Sequence, residues 1–310
     1  MNAKLYQYLM KTNNKPGLFS KPLTVCPLCK SKNIKPYYLI KNYKQHFKTD
    51  KCTDCGFIFM NPRFGNKVLK DMYSEHYYTG NAEYKYYDER DAEKYSRYVW
   101  EKRVRKIRQY ADGGSFLDVG CAFGGLLKTA SEHFTPYGIE LSEYSAGYAK
   151  KAFGSKIHCG SLADHRFKRG SFSVITMIEL LEHIADPVFA INECYKLLIK
   201  GGLLVVQTAN MNALQARILK DMYAYFMPGH VSYFSKKNLT DILIKAGFSK
   251  IKVYYPVEFG LLPKLLKSRY TFKSLFDYRH WMRIAYYHCI SKLHFKDFAA
   301  TSSMVIYAVK

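Results

Sequence analysis

Phe116-Leu117-Asp118-Val119-Gly120-Cys121-Ala122-Phe123-Gly124-Gly125 reads as an apolar strand running straight into a glycine turn and then into a helix over Leu126 to Glu132. A turn of this kind lets backbone N–H groups approach a ligand at the carboxyl edge of a sheet, where doubly wound folds bind nucleotide cofactors. Glu140 ends the next apolar run, twenty residues after Gly120. A carboxylate there can accept hydrogen bonds from both hydroxyls of a ribose. The dinucleotide fingerprint G-x-G-x-x-G requires glycine at position 122, where the backbone nears a pyrophosphate, and this chain has Ala122. Asp118 also fits poorly beside a phosphate and suits a ligand with a cationic amino-acid end.

Outward from that turn, short apolar runs alternate with helical segments: Phe116 to Val119, Pro136 to Glu140, Ser173 to Met177 and Leu203 to Thr208. This alternation predicts an α/β fold, a mostly parallel doubly wound sheet covered by helices on both faces. After Leu239 to Ala246 and the Gly247 stop, Ile251 to Tyr255 and Met304 to Val309 are expected to close the sheet as an antiparallel pair. Ahead of it, Tyr95, Val99, Val104 and Ile107 recur at mostly helical spacing and predict a helix leading into the core. Three units follow: residues 1–65, a helical linker or cap over 66–110, and a main domain over 111–310 with an inserted segment at 258–298.

The turn and Glu140 together resemble the first two motifs of class I S-adenosylmethionine-dependent methyltransferases, with Ala122 replacing the usual middle glycine. The resemblance covers about residues 110–310. It takes in Ser171-Phe172-Ser173-Val174-Ile175, Leu181-Glu182-His183-Ile184-Ala185-Asp186-Pro187, Leu197 to Gly202, and Gly229-His230-Val231-Ser232-Tyr233-Phe234-Ser235. It implies a seven-stranded Rossmann-like sheet and S-adenosylmethionine as cofactor. By position it implies that Asp118, Gly120, Cys121, Ala122, Gly124 and Glu140 hold that cofactor while Ser161 and Leu162 flank its adenine.

Cys26-Pro-Leu-Cys29 and Cys52-Thr-Asp-Cys55 form a C-x2-C-x22-C-x2-C pattern, the spacing of a closed, structural four-cysteine zinc site. A ribbon so small buries too little apolar surface to fold alone, so Zn2+ would supply the missing stability. The run Cys55-Gly56-Phe57-Ile58-Phe59-Met60-Asn61-Pro62-Arg63 is similar to the ribbon ahead of bacterial methyltransferases of sugar and surface-polysaccharide pathways. That resemblance points to a sugar or glycan-precursor acceptor methylated on oxygen or carbon. Cys121, Cys159, Cys194 and Cys289 are dispersed and read as packing residues.

Glu179, Glu182 and His183 stand at i, i+3 and i+4, which would place two carboxylates and an imidazole on one face of a helical turn. Such a donor set suits Mg2+ or Mn2+. The E-x-x-E-H pattern resembles metal-assisted O-methyltransferases acting on vicinal diols or catechols, which implies His230 as a further ligand. The alternatives are metal-free catalysis or substrate contact by Glu179, His183 and His230, or a plain helix start favoured by the dipole. Sugar methyltransferases with a similar H-x-x-Y-F segment use it near the acceptor, which makes His230 the candidate general base.

The 310 residues comprise 48% hydrophobic and 16% aromatic residues, which excludes a disordered chain. No stretch reaches the roughly 20 apolar residues of a membrane-spanning helix. Met1 to Phe19 holds no apolar block of about 7 to 15 residues, so no secretory signal and a cytoplasmic setting are expected. Lys and Arg number 48 against 25 Asp and Glu, a net charge of +23, which attracts phosphates, anionic lipid or acidic sugars without choosing among them. Residues 258–298 carry eight of the basic and three of the acidic residues, and read as an acceptor lid, a dimer contact or a helix on anionic lipid. The rival functions are an RNA methyltransferase, a noncatalytic zinc-ribbon binding module and, last, a nicotinamide oxidoreductase.

Overall fold

The computed structural model describes residues 18–65, 68, 90, 93–255, 261, 265, 278–290, 292–296 and 298–310. Of the expected linker over 66–110, residues 66–67, 69–89 and 91–92 lie outside the described residues, as does much of the insertion at 258–298.

Three antiparallel strands open the described chain: β1 (Ile34–Ile40), β2 (Phe47–Cys52) and β3 (Ile58–Met60). The predicted helix follows as α1 (Glu93–Ile107), its Val104 and Ile107 buried. Strand β4 (Ser115–Val119) runs through the glycine turn into α2 (Gly125–Ala130), and then come β5 (Thr135–Glu140), α3 (Glu143–Phe153) and β6 (Ile157–Cys159). The second half holds β7 (Phe172–Ile178), α4 (Pro187–Leu197), β8 (Leu198–Ala209) and α5 (Leu214–Leu219). It continues through β9 (Ser232–Tyr233), α6 (Lys236–Ala246) and β10 (Ser249–Tyr254). The chain ends with α7 (Tyr278–Ile290), β11 (His294–Phe295), β12 (Phe298–Ala299) and β13 (Ser303–Val309).

The main sheet has seven strands in the order β10-β13-β8-β7-β4-β5-β6. β4 pairs in parallel with both β5 and β7, whereas β13 runs antiparallel to β8 and β10. The strand order reverses between β4 and β7, and open α/β sheets bind ligands in the crevice at such a point. The central strands are apolar throughout, with Leu117, Val174, Ile175, Leu204 and Val205 wholly buried, because helices cover both faces. Among the described residues no helix is long and apolar enough to cross a membrane.

The N-terminal strands form a second sheet, and its fourth strand is β9 from the main domain. Ile58 pairs with Tyr233 and Phe59 with Ser232. Cys26, Cys52, Phe57 and Phe59 belong to the same hydrophobic cluster as Leu117, Phe234 and Leu239. This hydrophobic cluster thus runs across residue 65, drawing side chains from both sides of it.

Candidate active site

The glycine turn is built tightly. Gly120 (φ +78) and Gly124 (φ +86) take left-handed backbone, and a Cβ on Gly120 would meet Leu180 Cδ1 at 2.9 Å. Ala122 is also left-handed at φ +44, a region that disfavours any residue with a Cβ. Its N–H donates to Glu140 Oε2 at 2.9 Å, and Ser142 N–H donates to Glu140 Oε1 at 2.9 Å. The expected open amides are thus largely occupied by the chain. Gly120 and Cys121 donate to the Ile139 carbonyl at 2.8 and 3.1 Å, and Gly124 donates to the Cys121 carbonyl at 2.8 Å. What the crevice offers is Glu140 itself, since each oxygen has a further lone pair beyond the one an amide uses. Burial pushes its carboxyl up while those amide bonds pull it down.

Asp118 is buried near the end of β4 and accepts the Thr176 hydroxyl of β7 at 2.6 Å, across the strand reversal. Beyond β6, the Ser161 N–H and hydroxyl donate to Asp164 Oδ1 at 2.6 and 3.0 Å. The amide bond is the main cause that draws the Asp164 carboxyl down to about 2, and His158 adds to it. Leu162 is 7% exposed and packs into the core with Val119 and Ile139. Asp164 was missed in the sequence, although Ser-x-x-Asp is the spacing at which a side chain folds back on a turn.

At the end of β7 the expected helical face does not form. Glu179 takes φ +53 and only a single tight turn, Leu181–His183, follows. Glu179 Oε1 accepts from Gln207 Nε2 at 2.8 Å, and Gln207 in turn accepts from the buried Arg103 of α1. Glu179 is not among the donors that converge here, although its charge reaches Glu182 and adds to the burial that raises that carboxyl. His230 takes its place: one donor atom each from Glu182, His183 and His230 all lie within 4.8 Å of one another. The two imidazoles meet edge to face with centroids 4.6 Å apart.

The backbone fixes which ring nitrogen carries the proton. His183 Nδ1 faces the Gly229 carbonyl at 3.1 Å, and His230 Nδ1 faces the Tyr225 carbonyl at 3.0 Å. A carbonyl only accepts, so both neutral rings hold their lone pair on Nε2. Tyr233 donates its hydroxyl to the His230 carbonyl at 2.7 Å and holds that loop. Burial lowers His183 to about 4 and lowers His230 well below its ordinary value. Burial raises Glu182 to about 8, and its Oε2 is buried with no hydrogen-bond partner among the described residues. A carboxylate oxygen left without a donor beside two imidazole lone pairs is a set that fits a divalent cation.

The four ribbon cysteines also converge, with Cys26 Sγ 3.7 Å from Cys55 Sγ and Cys29 Sγ 3.6 Å from Cys52 Sγ. Four thiolates about 2.3 Å from one zinc ion stand about 3.8 Å apart along the tetrahedron's edges, so the geometry fits. The Cys26 thiol is lowered to about 5, chiefly by its hydrogen bond from Cys55.

A family model described as a methyltransferase domain matches residues 90–253. A ubiquinone biosynthesis O-methyltransferase from Aromatoleum aromaticum is 34% identical over 110 residues, which are 32% of this chain and 46% of that protein. One from Psychrobacter arcticus is 27% identical over 192 residues, 56% of this chain and 71% of the relative. This chain thus spans less than half the length of the first relative and more of the second. Among solved structures, phosphoethanolamine N-methyltransferase 2 of Haemonchus contortus in complex with S-adenosyl-L-methionine aligns with a TM-score of 0.51. It is 16% identical and covers 99% of this chain and 73% of its own, a likeness that shows the fold alone. The nicotinamide and noncatalytic readings fall away. Matched over its crevice, its strand reversal and the turn after β7, the chain belongs to the methyltransferase-domain family.

Proposed function

We propose that the chain methylates a hydroxyl oxygen, and that the acceptor is a sugar or glycan precursor presenting neighbouring hydroxyls. The observation that carries this reading is the convergence of Glu182, His183 and His230 within 4.8 Å beyond β7. An amine acceptor brings its own lone pair, whereas a hydroxyl must lose a proton, and a pair of neutral imidazoles beside a carboxyl group offers bases for that need. The O-methyltransferase names of the relatives favour oxygen over carbon. The ribbon's resemblance to sugar-pathway enzymes favours the sugar.

S-adenosylmethionine supplies an electrophilic methyl on a sulfonium. Glu140 would accept the ribose hydroxyls, and Asp118, held by Thr176, would face the cationic end. Cys121, Ala122, Gly124, Ser161 and Leu162 would shape the walls. His230 Nε2 would take the acceptor proton while the Tyr225 carbonyl keeps Nδ1–H aimed away. Burial makes each imidazole a weak base by itself. In the metal-assisted alternative His230 Nε2 would instead join Glu182 and His183 in holding a divalent cation such as Mg2+ or Mn2+, because one lone pair cannot serve both a cation and a proton. The cation would lower the pKa of a bound hydroxyl so that its proton passes to solvent. Glu179, fixed by Gln207 and Arg103, would line the acceptor side. Cys26, Cys29, Cys52 and Cys55 would hold a structural Zn2+.

The test is mass-shift screening of nucleotide sugars, a catechol and an RNA oligomer with added Mg2+ or Mn2+. A gain of one methyl on a sugar is the expected result. Methylation of the catechol alone would move the acceptor to a phenol, and methylation of the oligomer alone would restore the RNA reading.

A further inference from the structure

Tyr278 to Lys296 contains no Asp or Glu and carries Arg279, Arg283, Lys292 and Lys296. On α7, Tyr278, Met282 and Tyr286 recur every fourth residue, so they share one helix face. They are 66, 69 and 63% exposed. The chain then turns into the β11–β12 hairpin, where Leu293 donates to the Ile290 carbonyl and accepts from Ala300. Leu293 and Phe295 of that hairpin are 61 and 71% exposed. Helix α5 lies beside it, through the Ala213–Ala299 bridge and the Arg217 guanidinium 5.4 Å over the Phe298 ring. Ile218 and Met222, in and just after α5, are 66 and 65% exposed.

A surface that leaves this many large apolar side chains in water marks a site of interaction. Its charge selects the occupant. In a two-fold dimer the patch would meet its own copy, bringing Arg217, Lys220, Arg279, Arg283, Lys292 and Lys296 against the same six, outnumbering Asp221 and, in the sequence between β11 and β12, Asp297. An anionic bilayer has the opposite charge, and its headgroup zone takes Tyr, Met, Leu and Phe flanked by Arg and Lys. We infer that the face formed by α7, the β11–β12 hairpin and the residues around Met222 binds peripherally to anionic lipid bilayers. The apolar stripe enters the headgroup zone and Arg279 and Arg283 meet lipid phosphates. The segment that follows Met222 leads directly to His230, so docking would place the acceptor side of the crevice near the bilayer.

Sedimentation of the full chain with vesicles tests this, using phosphatidylcholine alone and an equimolar mixture with phosphatidylglycerol, at low and high salt. The expected result is retention by the anionic vesicles only, lost at high salt. Met282→Asp with Phe295→Asp should abolish retention. Arg279→Gln with Arg283→Gln should weaken partitioning roughly thirtyfold, on the order of fivefold per charge. Lys32→Gln with Lys35→Gln, two exposed ribbon positions, should leave it nearly unchanged, and S-adenosylmethionine affinity should be the same in every variant. If the apolar pair fails to fold, the arginine and lysine pairs decide. No retention, equal retention by phosphatidylcholine, or equal loss in the lysine pair would overturn the inference. So would a concentration-dependent dimer that Met282→Asp dissociates.

Discussion

Val231 donates its N–H to the Glu182 carbonyl at 2.9 Å, and its own carbonyl accepts from Met60 N–H at 3.1 Å. One residue thereby joins the turn after β7 to the last ribbon strand, immediately beside His230. Asn238 adds a second tie, donating to the Cys55 carbonyl at 2.7 Å, and Phe57 packs on Phe234 at 5.2 Å. The ribbon is part of the scaffold that holds the histidine pair.

That tie predicts the effect of losing the cysteine site. If the four thiols hold zinc, Cys52→Ser with Cys55→Ser should eliminate it, lower the melting temperature and reduce kcat together with stability, because the metal would then help order β3 and, through it, β9. Elemental analysis and calorimetry check it. A variant that lost zinc yet kept its melting temperature and kcat would show the ribbon to be energetically separate.

His230→Ala should lower kcat by roughly 100-fold to 10,000-fold, the usual worth of a positioned base, with S-adenosylmethionine affinity unchanged. Single-turnover kinetics and isothermal titration measure the two quantities. Unaltered turnover would remove His230 from proton transfer.

Much of the crevice was legible because its parts are local. Gly120, Gly124 and Glu140 sit at spacings set by one strand, one turn and one crossover, so the parallel order β4-β5 could be read from the residues alone. Ala122 was legible as a departure but not as a contact; its bond to Glu140 closes across two strands. The E-x-x-E-H spacing misled because periodicity assumes a helix, and the left-handed Glu179 breaks it after one residue. His230 met Glu182 only through Val231 and the ribbon edge, a pairing between distant segments that no local pattern encodes.

Ala122 holds strained backbone, and glycine is free of that strain. Ala122→Gly should therefore raise the unfolding free energy by about 1 kcal/mol while keeping the amide bond to Glu140. Chemical denaturation checks it, and a lower midpoint would mean that the alanine methyl contributes more packing than its conformation costs.

The buried acid and imidazoles give opposite pH dependences in metal-free protein. Glu182 is raised to about 8 from an ordinary 4.5, so its contribution to stability is full below about 4.5 and is lost as pH rises through about 8. His183 is lowered to about 4 from 6.5, so its contribution is full above about 6.5 and is lost as pH falls through about 4. Glu182→Gln should abolish the alkaline decline alone. Melting curves across pH test this, and an alkaline limb unchanged in the variant would contradict the assignment.

If His183 and His230 serve to remove a proton from a hydroxyl, the methyl must land on oxygen. With S-adenosylmethionine carrying a carbon-13 methyl, and a sugar acceptor found by the screen, heteronuclear NMR of the product reports the atom that receives it. A methoxy resonance that disappears with His230→Ala is the predicted result, whereas a methyl on nitrogen or carbon, or a methoxy product formed equally by the variant, would contradict it.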